Sequence, residues 1–165
     1  MRVPGPLRKN PDAWFEAYRE WRSLDMHIAL LIDCDNTNPA AIEGILGDLG
    51  EQGTVNIRRA YADWSKRKNW QPKLLPHAIQ PIQQFVYRKG KDAVDMCMMI
   101  DAMDLLYTER IDCFALVTND GDFTPLVHKL LSKGKVVIVF GEKTSDLLIQ
   151  ACSIYIHTGR YLNEA

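Results

Sequence analysis

Along the chain, apolar runs of strand length alternate with stretches in which apolar residues recur three and four positions apart. "IALLID" (28–33) is continuously apolar up to its terminal acid, the pattern of a parallel strand covered on both faces. "VNIRRAY" (55–61), "QQFVY" (83–87), "CFALVT" (113–118) and "VVIVF" (136–140) read as further strands, and "SIYIH" follows the short helical stretch "SDLLIQAC". Between them, Asn38 and Pro39 open a helix with Ile42, Ile45, Leu46 and Leu49 on one face, ending at Gly50. Residues 62–80, interrupted by Pro72 and Pro76, read as irregular or weakly helical. "DAVDMCMMIDAMDLLY" (92–107) is apolar nearly all round, which predicts a deeply buried helix, and "DFTPLVHKLLSKG" (122–134) predicts one that stops at glycine. Before all of these, a basic arm leads into "PDAWFEAYREWRSL" (11–24), where Trp14, Tyr18 and Trp21 form a helical stripe. Strands and helices in alternation predict a three-layer α/β/α domain around a mainly parallel sheet of five to six strands. The predicted boundaries are an arm and amphipathic helix at 1–26, one α/β domain at 27–158 and a tail at 159–165.

Composition narrows the function classes only a little. The 165 residues suit one such domain, and a net charge of −1 excludes a wholly basic nucleic-acid coat without excluding local patches. Cys34, Cys97, Cys113 and Cys152 are scattered, with no C-x-x-C pair and no zinc spacing, so reduced cytosolic thiols are expected. No apolar run approaches the roughly 20 residues of a membrane span. The N-terminus lacks the apolar core of a signal peptide. A soluble, cytoplasmic protein with no membrane partner is the expectation.

The chemistry is carried by acids at the ends of predicted strands. In parallel α/β sheets, ligands bind beyond the carboxyl ends of the strands. Asp33 and Asp35 follow strand one, Asp120 and Asp122 follow strand four in "TNDGD", and Asp92 and Asp95 open the long apolar helix. Carboxylates gathered in one place repel unless cations compensate them. Hard oxygen ligands select Mg²⁺ or Mn²⁺, ions that clamp a phosphate and activate water. Each acid also has an ordinary structural explanation. Asp92 and Asp95 suit a helix N-terminus, Asp122 stands where an N-cap belongs, and Asn119-Asp120-Gly121 is common turn composition. Asp33 and Asp35, so close behind a strand, have no comparable explanation, and the metal site is favoured. Asp101 lies about 120° around the helix from Asp95 and is expected to be a structural hydrogen-bonding residue.

A second signal is "RRAYADWSKRKNWQPK" (58–73), six basic residues against one acid, interleaved with Tyr61, Trp64 and Trp70. Cations for phosphates and aromatic faces for unpaired bases suit single-stranded nucleic acid. The candidates are Arg59, Trp64, Lys66, Arg67 and Lys68, with Trp64 equally explicable as a core residue. Lys91, just before the acidic helix, either holds a phosphate or offsets the carboxylates.

Two families share the string "IDCDNT". It fits the D-x-D-x-T signature of haloacid-dehalogenase-like phosphatases, but the late strand "VVIVFGEKTSD" lacks the paired acids that family needs. Three ordered segments, "LLIDCDN", "KDAVDMCMMIDAMDLL" and "LVTNDGDFTPLVHKLLSKGKVVIVFG", instead resemble a NYN domain of the LabA-like group, in the PIN-like nuclease superfamily. The resemblance implies a PIN-like fold and a Mg²⁺- or Mn²⁺-dependent ribonuclease. It implies Asp33, Asp95, Asp120 and Asp122 as metal ligands, Asn36 orienting substrate or water, and Thr118 supporting the site. RNA as partner and a homodimer are further implications. The competing expectations are a catalytically weak RNA-binding adaptor and, third, the phosphatase.

Overall fold

A computed structural model describes residues 12–13, 26–88 and 92–162. Six strands form one all-parallel sheet: β1 (Met26–Asp33), β2 (Gly53–Ala62), β3 (Gln80–Gln83), β4 (Cys113–Val117), β5 (Val136–Gly141) and β6 (Ile154–His157), in the order β3-β2-β1-β4-β5-β6. The helices are α1 (Ile42–Gly50), α2 (Gln71–Leu74), α3 (Ala93–Thr108), α4 (Thr124–Ser132) and α5 (Asp146–Ala151). The sheet is the mainly parallel, six-stranded core that the alternating pattern predicts.

The period-2 geometry of a strand splits β1 between two cores. Ile28, Leu30 and Ile32 pack with Ile42, Ile45 and Leu49 of α1 and with Trp70 and Leu74, while Ala29 and Leu31 pack with Val94, Met98, Ala102 and Leu105 of α3. All five strand residues are completely buried. Burial on both faces is why the run reads as continuous rather than alternating.

Local chemistry explains where the elements begin and end. Asn38 accepts from the Ala40 amide with Pro39 at the first position, opening a 3-10 turn that runs into α1. Gly134, at φ +76°, ends α4 in the left-handed conformation that glycine adopts without a Cβ clash, and Lys135 N–H reaches back to Leu130.

Two expectations change. The third strand lies at Gln80–Gln83 rather than 83–87, because Arg59–Ala62 of β2 pair with 80–83 and the chain beyond is extended but outside the ladder. Helix α3 is not buried all round: Met96, Ile100 and Tyr107 are exposed along one side. Only one side of α3 faces the sheet, and the apolar composition of the other side has no core partner.

Among the described residues no helix is long and apolar enough to cross a membrane. Asp12 and Ala13 are helical, and Arg160 pairs with Asp12 at 3.4 Å. The remainder of the expected helix, with Trp14, Tyr18 and Trp21, lies outside the described residues.

Candidate metal centre at the sheet edge

The strand order reverses direction between β1 and β4. Chain excursions leave the sheet on opposite faces there, so a crevice opens beyond the carboxyl ends of these two strands. Asp33 is the last residue of β1, and Thr118, Asn119 and Asp120 follow β4.

The two strands end with the same device. Asp33 and Asp120 both leave the strand with extended backbone, and each carboxylate accepts the amide two residues on, Asp35 at 3.2 Å and Asp122 at 2.9 Å. Each caps a 3-10 turn. Asp33 therefore does have a capping role, contrary to the sequence reading, whereas Asp92, for which capping was the ordinary alternative, makes no side-chain cap bond at the start of α3.

Thr118 ties the two turns together. Its buried hydroxyl donates to Asp33 Oδ2 at 3.0 Å and accepts from the Asp120 amide at 3.2 Å. Burial raises the pKa of Asp33, with the Thr118 hydrogen bond opposing that rise. Asn119 anchors the neighbouring loops. Its Oδ1 accepts from the Glu142 amide (2.9 Å), the Lys143 amide (3.2 Å) and the Thr144 hydroxyl (2.9 Å), and its Nδ2 donates to the Asn36 carbonyl (3.0 Å). The spacing is tight: a Cβ at Gly141 would stand 2.4 Å from Asn119 Oδ1 and 2.9 Å from the Thr118 carbonyl.

Three carboxylates converge above this platform. Oxygens of Asp92, Asp95 and Asp120 lie within 4.8 Å of one another, with Asp92 exposed, Asp95 buried and Asp120 half-buried. Burial, a hydrogen bond with Asp120 and the charges of Asp33, Asp120 and Asp92 push the Asp95 carboxyl up to about 8. Two carboxyls that share a hydrogen bond must hold a proton between them when no cation is present. None of the ion pairs among the described residues involves any of these acids. Three carboxylates with no ion-pair partner among the described residues fit a hard divalent cation.

Of the predicted ligands, Asp95 and Asp120 stand in this close cluster. Asp33 lies fully buried nearby, close enough for its charge to act on Asp95, and Asp122 is exposed beyond the turn. Asp92, one of the acids at the start of the long helix for which capping was the ordinary alternative, is the third member of the close cluster. Asn36 is exposed at the rim.

The basic stretch divides. Arg59 is committed to Asp101 through two bonds of 2.7 and 2.8 Å, and the Tyr61 hydroxyl donates to the same carboxylate, the structural role expected of Asp101. Tyr61 and Trp70 are buried, and Trp64 packs on the core with its indole N–H donating to the Ile82 carbonyl at 3.1 Å. Arg67 pairs with Asp35 at 2.9 Å, which draws the basic loop to the end of β1. Lys66 and Lys68 are exposed. Lys91 lies outside the described residues. Phe85 and Tyr87, which the sequence reading placed inside a strand, are exposed beyond the end of β3.

The family model described as NYN domain matches residues 27–159. The chain belongs to the NYN domain family. Its fold is nuclease-like, and the acid cluster sits within the matched span. An uncharacterized protein of Methanocaldococcus jannaschii, MJ0482, is 34% identical over 124 residues, 73% of this chain and 49% of that protein. The chain thus spans about half the length of that curated relative. A crystal structure of VPA0982 from Vibrio parahaemolyticus, described as a protein of unknown function, has the same fold as the NYN domain here. The TM-score is 0.64 at 22% identity, covering 82% of this chain and 94% of that one.

Proposed function

We propose that this NYN domain is a metal-dependent ribonuclease acting on single-stranded RNA, with Mg²⁺ or Mn²⁺ held by the acids at the β1/β4 crevice. The observation that carries the reading is the convergence of Asp92, Asp95 and Asp120 with no described cation paired to them. A bound divalent ion supplies the positive charge that polarises a phosphodiester and lowers the pKa of water. The residues of the chain do the rest. Asp92, Asp95 and Asp120 would hold the ion. Asp33, kept in one orientation by the Thr118 hydroxyl and the Asp35 amide, would add buried negative charge to the site. Asn36 and Asp122 at the rim orient water and substrate. Arg67, Lys66 and Lys68 steer the phosphate backbone toward the crevice.

The LabA-like group is the part of the family whose segments this chain resembles, and a homodimer in the cytoplasm completes the reading. None of the four cysteines forms a disulfide, in keeping with a reducing compartment. The phosphatase alternative retains one motif only: Asp35, its required acid/base, is paired with Arg67.

The test is cleavage of a labelled single-stranded RNA in Mg²⁺ or Mn²⁺ by wild type, Asp95→Asn and Asp120→Asn. The expected result is cleavage by wild type that chelation abolishes, and a loss on the order of 100-fold or more in each variant. Equal cleavage by all three proteins, or none by wild type with either ion, overturns the reading. Tight RNA binding without turnover would favour the adaptor alternative instead.

A further inference from the structure

We propose that Asp35 is a positioning residue: it holds the Arg67 guanidinium by one edge at the end of β1, so that the free end of that group takes a phosphate of the substrate strand. That the strand is RNA rests on the ribonuclease reading above.

The first observation is what the ion pair leaves free. Arg67 Nε donates to Asp35 Oδ1 at 3.0 Å, and Nη2 lies 2.9 Å from the same oxygen. A guanidinium carries five N–H groups in a planar fork. Asp35 occupies the Nε–Nη2 edge, and no other hydrogen bond or ion pair of the Arg67 side chain joins a described residue. The Nη1–Nη2 end therefore stays open, and two parallel N–H groups are the arrangement that meets two oxygens of a phosphate. Both side chains are about one third exposed, at 37% and 34%, so a ligand can reach them.

The second observation is that the basic loop does not need this pair to keep its shape. Asp63 Oδ1 accepts from the amide and the hydroxyl of Ser65. The Asp63 carbonyl accepts from the Lys66 amide at 3.0 Å, and the Arg67 carbonyl accepts from the Trp70 amide at 3.3 Å. Trp70 is fully buried in the core on the α1 side of the sheet. Residues 63–70 are thus anchored at both ends without Asp35. An ion pair this exposed contributes little to stability, and a carboxylate at position 35 adds like charge beside buried Asp33. What the pair does achieve is to fix a long, rotamer-rich side chain in one direction.

The third observation is where that direction is set. The Asp35 amide donates to Asp33 Oδ1 at 3.2 Å, and the Thr37 hydroxyl donates to the Asp33 carbonyl at 2.7 Å, so the turn that carries Asp35 is fixed to the end of β1. Asp33 Oδ2 accepts from the Thr118 hydroxyl, which accepts from the Asp120 amide. Arg67 is tied through Asp35, Asp33 and Thr118 to one of the three clustered acids. The basic loop comes to the β1/β4 crevice from the α1 side of the sheet, whereas Asp92 and Asp95 come with α3 from the other side. A strand lying in the crevice would meet the acids on one wall and the oriented cation on the other.

The experiment measures binding of a labelled single-stranded RNA by fluorescence anisotropy over a range of salt, with Ca²⁺ as the divalent ion. Arg67→Ala should bind roughly 10-fold more weakly than wild type and lower the salt slope by about 1. Asp35→Ala removes a negative charge, which by itself would tighten binding to RNA. Positioning predicts the opposite sign, a loss of roughly 3- to 10-fold. Asp35→Asn keeps an acceptor oxygen for Arg67 and should recover most of that loss. In an Arg67→Ala background, Asp35→Ala should cost nothing further, because its effect is exerted through that side chain; a folding defect would show in both backgrounds. The proposal is overturned if Asp35→Ala binds as tightly as wild type or more tightly, if the two losses add, or if wild type binds no RNA. Weakened binding by Asp35→Ala, with a wild type that cleaves under neither Mg²⁺ nor Mn²⁺, would sustain the role of Asp35 and remove the ribonuclease reading. Cleavage by wild type with binding indifferent to Asp35→Ala would do the reverse.

Discussion

Asp95→Asn should make the metal-free protein more stable above neutral pH, although it removes a residue assigned to the site. The Asp95 carboxyl, at 3.8 in the unfolded reference, is pushed up to about 8 in the folded protein by burial and by its acidic neighbours. Between those values the folded state keeps a proton that the unfolded chain releases. Stability from this group is therefore fully present below about pH 4 and is lost as pH rises through 8. Asparagine cannot ionise, so the variant keeps the low-pH contribution throughout. A displacement of roughly four pH units at 1.36 kcal/mol each sets a ceiling of about 5 kcal/mol. Asp92 is exposed and Asp120 only half-buried, so water screens the cluster and about 2–3 kcal/mol is the realistic gain at pH 8.5.

For a domain of this size that gain is on the order of 5–10 °C in Tm. Thermal melts in EDTA from pH 4 to 9 would read it. The wild-type and variant curves should meet near pH 4 and separate progressively toward pH 9. Adding Mg²⁺ or Mn²⁺ at pH 8.5 should then close the gap, because the ion stabilises only the protein that can bind it. A separation that stays constant across the range, or a variant less stable than wild type at pH 8.5 in EDTA, would refute the electrostatic argument.

Other consequences follow from the same edge of the sheet. Thr118→Val removes the donor to buried Asp33 and the acceptor of the Asp120 amide; it should cost about 2 kcal/mol in urea unfolding, and Thr118→Ser should recover most of it. Asn119→Ala deletes the acceptor shared by residues 142, 143 and 144; amide exchange in that loop should quicken while exchange in β1 stays slow. Asp101→Ala strands Arg59 and the Tyr61 hydroxyl; a loss of about 2–3 kcal/mol is expected by denaturant titration, with Asp101→Asn intermediate.

The sheet was legible because its strands are continuous apolar runs bounded by turn residues, and five of the six lie within a few residues of where the pattern places them. The third was displaced because "QQFVY" carries the aromatic and β-branched residues of a strand, while "QPIQ" carries a proline and two glutamines. Pairing with Arg59–Ala62 overrides that propensity, and β3 tolerates Pro81 because it is an edge strand. Asp95 and Asp120 were legible as members of the acid cluster because their segments lie at one edge of the sheet. Asp92 was not, since spacing cannot distinguish a capping carboxylate from one that turns away from its helix. Composition alone could not show that Trp70 is buried or that Arg59 pairs with Asp101, because a basic, aromatic string has the same composition whether its side chains face solvent or the core.

Helix α3 shows why composition and burial part company here. Counted as a string, 93–108 is apolar on every side, and a helix of that kind belongs in a core. In the fold it serves three environments at once. Val94, Met98, Ala102 and Leu105 meet the sheet. Asp95 reaches the crevice, and Asp101, six residues on, closes over Arg59 and Tyr61. Met96, Ile100 and Tyr107 are left outside. Keeping an apolar stripe in water has a cost that neither the sheet contacts nor the acid cluster requires, since polar residues at 96 and 100 would leave both intact.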